Sequence, residues 1–142
     1  MSDRTFVDTN VLVYAHDVEA GARHDVAAKL VGELWETRRA VISTQVLQEF
    51  YVNATRKIPS PLPRATARQI VKAYAVWQTE LVGPPEIQVA SELEEQHRLS
   101  FWDALIVAAA LKGGASTILS EDLSAGRSIS GVRIENPFAT PA

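Results

Sequence analysis

The chain has 142 residues, 46% hydrophobic and 22% charged, with a net charge of -3; this suits one globular domain over residues 1–142, hiding roughly 68–70% of its unfolded surface. With no cysteine, disulfides, thiolate metal sites and cysteine nucleophiles are excluded, and with no apolar run of signal-peptide or membrane-span length, a soluble cytoplasmic protein is expected. The acidic balance argues against a broad basic face for nucleic acid but leaves room for a local strip of arginines.

Thr5-Phe6-Val7 reads as a buried strand, stopped at Asp8-Thr9-Asn10. The next element is a helix from His24 to Arg38, with Ala27, Leu30, Val31 and Leu34 on one face. Ala40-Val41-Ile42 is a second strand, and Ser43 or Thr44 caps the helix after it. That helix runs to about Lys57 with Val46, Leu47, Phe50, Tyr51, Ala54 and Ile58 at three-and-four spacing. Pro59, Pro61 and Pro63 break the chain. Arg64 to Gln78 is helical again, and Glu80-Leu81-Val82 is a short strand closed by Gly83-Pro84-Pro85. Helices over Glu86 to Arg98 and Trp102 to Leu111 follow, the second ended by Gly113-Gly114. Thr117-Ile118-Leu119 and Val132-Arg133-Ile134 are the last strands. This alternation implies an α/β fold, a three-layer α/β/α sandwich around a central, mainly parallel sheet. In such sheets ligands bind outside the carboxyl ends of the strands.

Two acids stand at such strand ends. Asp8 directly follows the first strand and Asp122 comes three residues after Leu119. Each also fits a plain turn or N-cap role. Asp103 is the only charge before Lys112 in a helix apolar all round, and such a helix is buried. Ser100-Phe101-Trp102-Asp103 matches a capping box, which is compatible with metal binding. Glu49 lies off its helix's apolar stripe, in line with Gln45 and Asn53, as expected of a solvated face. Two carboxylates at 4 Å repel by roughly 4 kcal/mol at an effective dielectric near 20. A cluster therefore needs a cation or a shared proton. Oxygen ligands without cysteine or paired histidine suit Mg²⁺ or Mn²⁺ rather than zinc.

Four segments together resemble the PIN-domain family, and within it the VapC-type toxins of bacterial toxin–antitoxin pairs. They are Phe6-Val7-Asp8-Thr9-Asn10-Val11-Leu12-Val13-Tyr14-Ala15, Ser43-Thr44-Gln45-Val46-Leu47-Gln48-Glu49-Phe50, Ser100-Phe101-Trp102-Asp103-Ala104-Leu105-Ile106 and Ile118-Leu119-Ser120-Glu121-Asp122-Leu123. The resemblance implies an endoribonuclease in which Asp8, Glu49, Asp103 and Asp122 form an acidic quartet around one or two divalent ions. Asn10 and Ser120 match the polar positions beside the acids. A metal-activated water would cut RNA to leave a 5′-phosphate. Glu121 adjoins Asp122 and is the alternative ligand; the family's spacing favours Asp122. The resemblance also implies a homodimer and an antitoxin whose tail covers the active-site groove.

Trp35, Tyr51, Tyr74 and Trp77 fit that groove, a dimer face or the core. Arg56, Lys57, Arg64 and Arg68 are the densest basic run, fitting RNA phosphates or a solvated face. His16, His24 and His97 have no metal-ligand spacing, and no GxSxG, GxGxxG or P-loop is present. Three rivals stand beside the toxin. One is a solitary RNA-processing nuclease of the same kind. Another is an aspartate phosphotransferase with Asp8 as nucleophile, although its usual second Asp is Asn10 here. The third is a non-catalytic module of the same fold that binds RNA or protein.

Overall fold

A computed structural model describes residues 3–139; residues 1–2 and 140–142 of the expected domain lie outside the described residues. The strands are β1 (Arg4–Val7), β2 (Ala40–Ser43), β3 (Gln78–Glu80), β4 (Ala115–Leu119), β5 (Ser128–Ile129) and β6 (Val132–Glu135). The helices are α1 (Thr9–His16), α2 (Ala22–Thr37), α3 (Thr44–Arg56), α4 (Arg64–Tyr74), α5 (Pro84–His97) and α6 (Phe101–Lys112). The strands form one six-stranded sheet in the order β3-β2-β1-β4-β6-β5. All pairs are parallel except β5 with β6. The expected α/β architecture with a mainly parallel sheet flanked by helices is therefore found.

The central strands carry short apolar runs where both of their faces are covered. Phe6, Val7, Val41, Ile42 and Ile118 are fully buried. The all-apolar helix α6 runs through this core, burying Ala104 through Ala110. From β1 the chain winds outward through β2 and β3, then returns to the other side of β1 as β4. The order reverses between β1 and β4, which makes the carboxyl ends of these two strands the place for a ligand crevice. In register Val7 lies opposite Leu119, and the Asp8 amide donates to the Leu119 carbonyl at 3.0 Å. Both strands thus end at one level, with Asp8 and Ser120 emerging side by side.

Four elements differ from expectation. Helix α1 begins at once after Asp8, where the sequence reads as a turn. Asp8 is its N-cap, its carboxylate accepting from the Thr9 amide at 2.7 Å, and Val11, Leu12 and Val13 bury into the core. Helix α4 ends at Tyr74, not Gln78, and the third strand is Gln78–Glu80 rather than Glu80-Leu81-Val82. Gln78 is drawn into the sheet edge by its amide, which donates to the Gly113 carbonyl at 2.9 Å, whereas Leu81 is exposed. A two-residue strand, β5, turns back on β6 as an edge hairpin.

Tyr74 and Trp77 belong to the core, with Trp35 packed over both at centroid distances of 6.0 and 4.8 Å. Among the described residues no helix is long and apolar enough to cross a membrane.

Candidate metal-binding acidic site

A cavity of about 510 Å³ opens at the carboxyl ends of β1 and β4. Asp8, Glu49, Asp103 and Asp122 all line it. Four separate pieces of chain deliver them: the end of β1, the middle of α3, the first turn of α6 and the loop after β4. Thr9, Asn10, Tyr14, Gln45, Lys57 and Trp102 complete much of the wall.

Each acid has its own support. The Ser120 hydroxyl donates to Asp8 Oδ2 at 2.7 Å while the Thr9 amide holds Oδ1. The Thr9 hydroxyl donates to Glu49 Oε1 at 2.7 Å, and Gln45 Nε2 donates to Oε2 at 3.3 Å. This turns Glu49 inward, although the sequence pattern alone put it on a solvated face. Asp103 stands where Ser100 caps α6, its amide donating to the Ser100 hydroxyl at 3.1 Å. Asn10 Nδ2 donates to Asp122 Oδ2 at 3.3 Å, and Asn10 Oδ1 accepts from the Glu121 amide at 3.2 Å.

Glu121 points elsewhere. It accepts from the Tyr14 hydroxyl at 2.6 Å and pairs with Arg23 at 2.5 Å. Burial works to raise its pKa, but these two partners outweigh burial and hold it below the usual glutamate range. Tyr14, partly buried and facing that carboxylate, is pushed up to about 12.

Crowding acids in a desolvated pocket disfavours their charged forms. Burial raises Asp8 to about 6; the Ser120 and Thr9 hydrogen bonds oppose this, and the charges of Glu49 and Asp103 add to it. Asp103 is raised too, first by burial and then by Asp122 and Glu49, against the Ser100 hydrogen bond.

Does this donor set suit a metal? Among the described residues no three histidine, aspartate or glutamate side chains enclose an ion directly. The donors are carboxylate oxygens spread around a cavity with room for several waters beside an ion. That arrangement fits Mg²⁺ or Mn²⁺, which keep several waters and take few protein ligands. It does not fit zinc, which wants nitrogen or sulfur in a closed tetrahedron. The mutual repulsion of the acids is what such a cation would offset.

Of the basic run, Lys57 reaches the cavity wall. Arg68 instead borders an apolar groove between α3 and α4 with Leu47, Tyr51 and Val71, and Arg56 and Arg64 are exposed. The sequence pattern does not mark Thr9, Gln45, Tyr14 or Trp102 as site residues. Gln45 had one legible signal, its place one turn before Glu49 on α3.

Comparison with known proteins agrees with this architecture. A toxin of Mycobacterium tuberculosis, VapC20, described as cleaving the sarcin-ricin loop, superimposes with a TM-score of 0.62 at 23% identity, over 83% of this chain and 89% of that one. A toxin–antitoxin complex from Klebsiella pneumoniae gives a TM-score of 0.69 at 19% identity, over 96% and 99%. VapBC2 from Rickettsia felis, bound to a DNA fragment from its promoter, gives 0.62 at 17% identity, over 93% and 97%. At these identities the likeness is one of fold. A search among curated proteins gave no match. Residues 5–127 match the PIN domain, and the chain belongs to that family.

Proposed function

We propose that the chain is a divalent-metal-dependent endoribonuclease, and that it serves as the toxin of a toxin–antitoxin pair. One observation supports the nuclease above all: four carboxylates from four separate segments face a single cavity at the sheet's switch point. Asp8, Glu49, Asp103 and Asp122 would hold Mg²⁺ or Mn²⁺. When bound, that ion supplies a water that is easier to deprotonate and positive charge for the phosphodiester. The protein's own part is orientation. Ser120 and the Thr9 amide fix Asp8, the Thr9 hydroxyl and Gln45 fix Glu49, and Asn10 steadies Asp122. Lys57 stands on the wall to meet a phosphate.

The toxin assignment draws on fold likeness to proteins crystallised in toxin–antitoxin complexes. It includes a homodimer and an antitoxin whose segment covers the cavity. An aspartate phosphotransferase is less well supported. Both oxygens of Asp8 already accept hydrogen bonds, and Asn10 is engaged with Asp122 and Glu121.

The test is cleavage of RNA by purified protein with Mg²⁺, with Mn²⁺ and with chelator. Cleavage that needs the metal and is lost in Asp8→Asn and Asp103→Asn is expected. Phosphate release from small phosphoesters would favour the phosphotransferase, and no turnover would leave a binding module. Growth arrest on expression in bacteria, absent with Asp8→Asn, separates a toxin from a solitary RNA-processing nuclease.

A further inference from the structure

Trp102 is 64% exposed, an unusual setting for the largest apolar side chain, and it lines the acidic cavity. It is held by its backbone more than by its ring. Ser100 caps the helix turn on which Trp102 sits, and the Trp102 carbonyl accepts from Gln45 Nε2 at 3.3 Å. The Phe101 and Trp102 rings are T-shaped to each other, with centroids 5.3 Å apart and planes at 77°. The cavity's other aromatic, Tyr14, is already engaged. Its hydroxyl goes to Glu121, its ring packs on Phe138 at 5.1 Å, and Arg23 stands 5.8 Å from its centroid. Among the described residues of the cavity wall, Trp102 is the exposed aromatic.

We propose that Trp102 is a stacking platform for an unpaired base next to the bond that is cut. The proposal rests on the nuclease assignment above and deepens it. The residue adjoins Asp103 on the first turn of α6, so a base lying on the indole has its phosphate beside the carboxylates. A base inside an A-form duplex has no free face, and its edges lie in grooves; only an unstacked base can reach an indole. Stacking on an aromatic ring is tolerant of base identity. An apolar protein surface suits the indole less well than a base does, and an antitoxin segment over the cavity would have to bring cations to the acids. Covering the indole with an apolar surface would take Asp103 and Asp122 out of water together, which is costly for unpaired charges.

The experiment measures binding of a labelled, unstructured octaribonucleotide to the full chain by fluorescence anisotropy, in chelator at low ionic strength, where cleavage is absent. The same sequence as a duplex is the control. Trp102→Ala should bind the single strand about tenfold more weakly, within the range of a lost base stack. Trp102→Phe should recover most of that loss, and duplex binding should not move. An abasic nucleotide at the stacked position should erase the difference between wild type and Trp102→Ala. In Mg²⁺ the loss should fall on KM rather than kcat. Equal loss on duplex and single strand, unchanged binding by Trp102→Ala, or no binding by the wild type overturns the proposal. So does a change of oligomeric state by light scattering with RNA binding intact, which would make Trp102 a protein contact. A wild type that binds and discriminates as described, yet cuts nothing in either metal, removes the nuclease assignment and leaves the platform standing.

Discussion

Ser120 donates its hydroxyl to Asp8 Oδ2 at 2.7 Å, and Ser120 Oγ in turn accepts from the Leu123 amide at 3.1 Å. The two residues are separated by 112 positions, yet each directly follows one of two paired central strands. The bond therefore reports the β1–β4 register, and it sets the direction in which a nearly buried carboxylate faces the cavity. Ser120→Ala removes the main hydrogen bond that opposes the burial of that charge. The expected cost is roughly 1.5–3 kcal/mol, as for a hydrogen bond to a charged group. Metal affinity or cleavage should fall about 10–100-fold, as when a group that orients a ligand is lost. Urea denaturation and metal titration of cleavage check both; a variant equal to wild type in both would refute this role.

Asp8 also predicts a pH dependence. Its folded pKa is about 6 against an ordinary 3.8. Between those values the folded chain keeps a proton that the unfolded chain has released. A raised carboxyl therefore stabilises the fold relatively best below about pH 4, and that advantage is lost as pH rises through 6. The loss is roughly 2–3 kcal/mol by pH 7 in the absence of metal. Asp8→Asn removes the titration and keeps the shape. In chelator, the stability of Asp8→Asn minus that of wild type should grow from pH 4 to pH 7 by about that amount. Mg²⁺ should then stabilise wild type and not the variant. A difference that stays flat across this range would contradict the burial argument.

Gly113 gives a prediction about the fold alone. It is buried at the end of α6 remote from Asp103, and a Cβ there would stand 2.6 Å from Val41 Cγ1. Val41 is itself fully buried in β2 and has no room to yield. Two further atoms, Gln78 Nε2 and Glu80 Cγ, would lie at 3.2 Å. Gly113→Ala should cost about 1–3 kcal/mol, the usual range for an overpacked core. Chemical denaturation measures it. Cleavage per folded molecule should be unchanged, because the disturbed strands β2 and β3 meet α6 away from the cavity.

Legibility followed the range of the forces involved. The apolar runs of β1, β2 and β4 and the all-apolar α6 are local patterns, and each stands where the sequence put it. Helix α1 was hidden because Asp8-Thr9-Asn10 has the residues of a turn and also those of an N-cap, and only the burial of Val11, Leu12 and Val13 decides between them. The third strand was displaced because its pairing depends on Gln78 reaching Gly113, a contact across 35 residues. The site divides in the same way. Asp8 and Asp103 were readable from a strand end and a buried helix start. Glu49 was readable only through family resemblance, since the Thr9 hydroxyl that turns it inward comes from 40 residues away. The basic run was readable as a run, but sequence adjacency did not tell that Lys57 reaches the cavity and Arg56 does not.

Glu121 and Asp122 are neighbours in sequence with opposite surroundings, and substitution should separate them. Asp122 faces the cavity with Asn10 on one oxygen. Glu121 is committed to Tyr14 and Arg23, and its lowered pKa reflects those two partners. Asp122→Asn and Glu49→Gln should each reduce metal-dependent cleavage by on the order of a hundredfold or more, given that groups which merely orient ligands cost 10–100-fold. Their unfolding midpoints in chelator should not fall, because each removes one of several mutually repelling charges. Glu121→Gln should do the reverse. It weakens an ion pair with a half-exposed arginine and a hydrogen bond from a tyrosine, so the fold should lose about 1 kcal/mol. Cleavage should stay within a few-fold of wild type. The decisive comparison is the Mg²⁺ concentration for half-maximal cleavage, measured for Glu121→Gln and Asp122→Asn side by side. If Glu121→Gln shifts it as far as Asp122→Asn does, Glu121 reaches the metal, and its bonds to Tyr14 and Arg23 are broken in the loaded site.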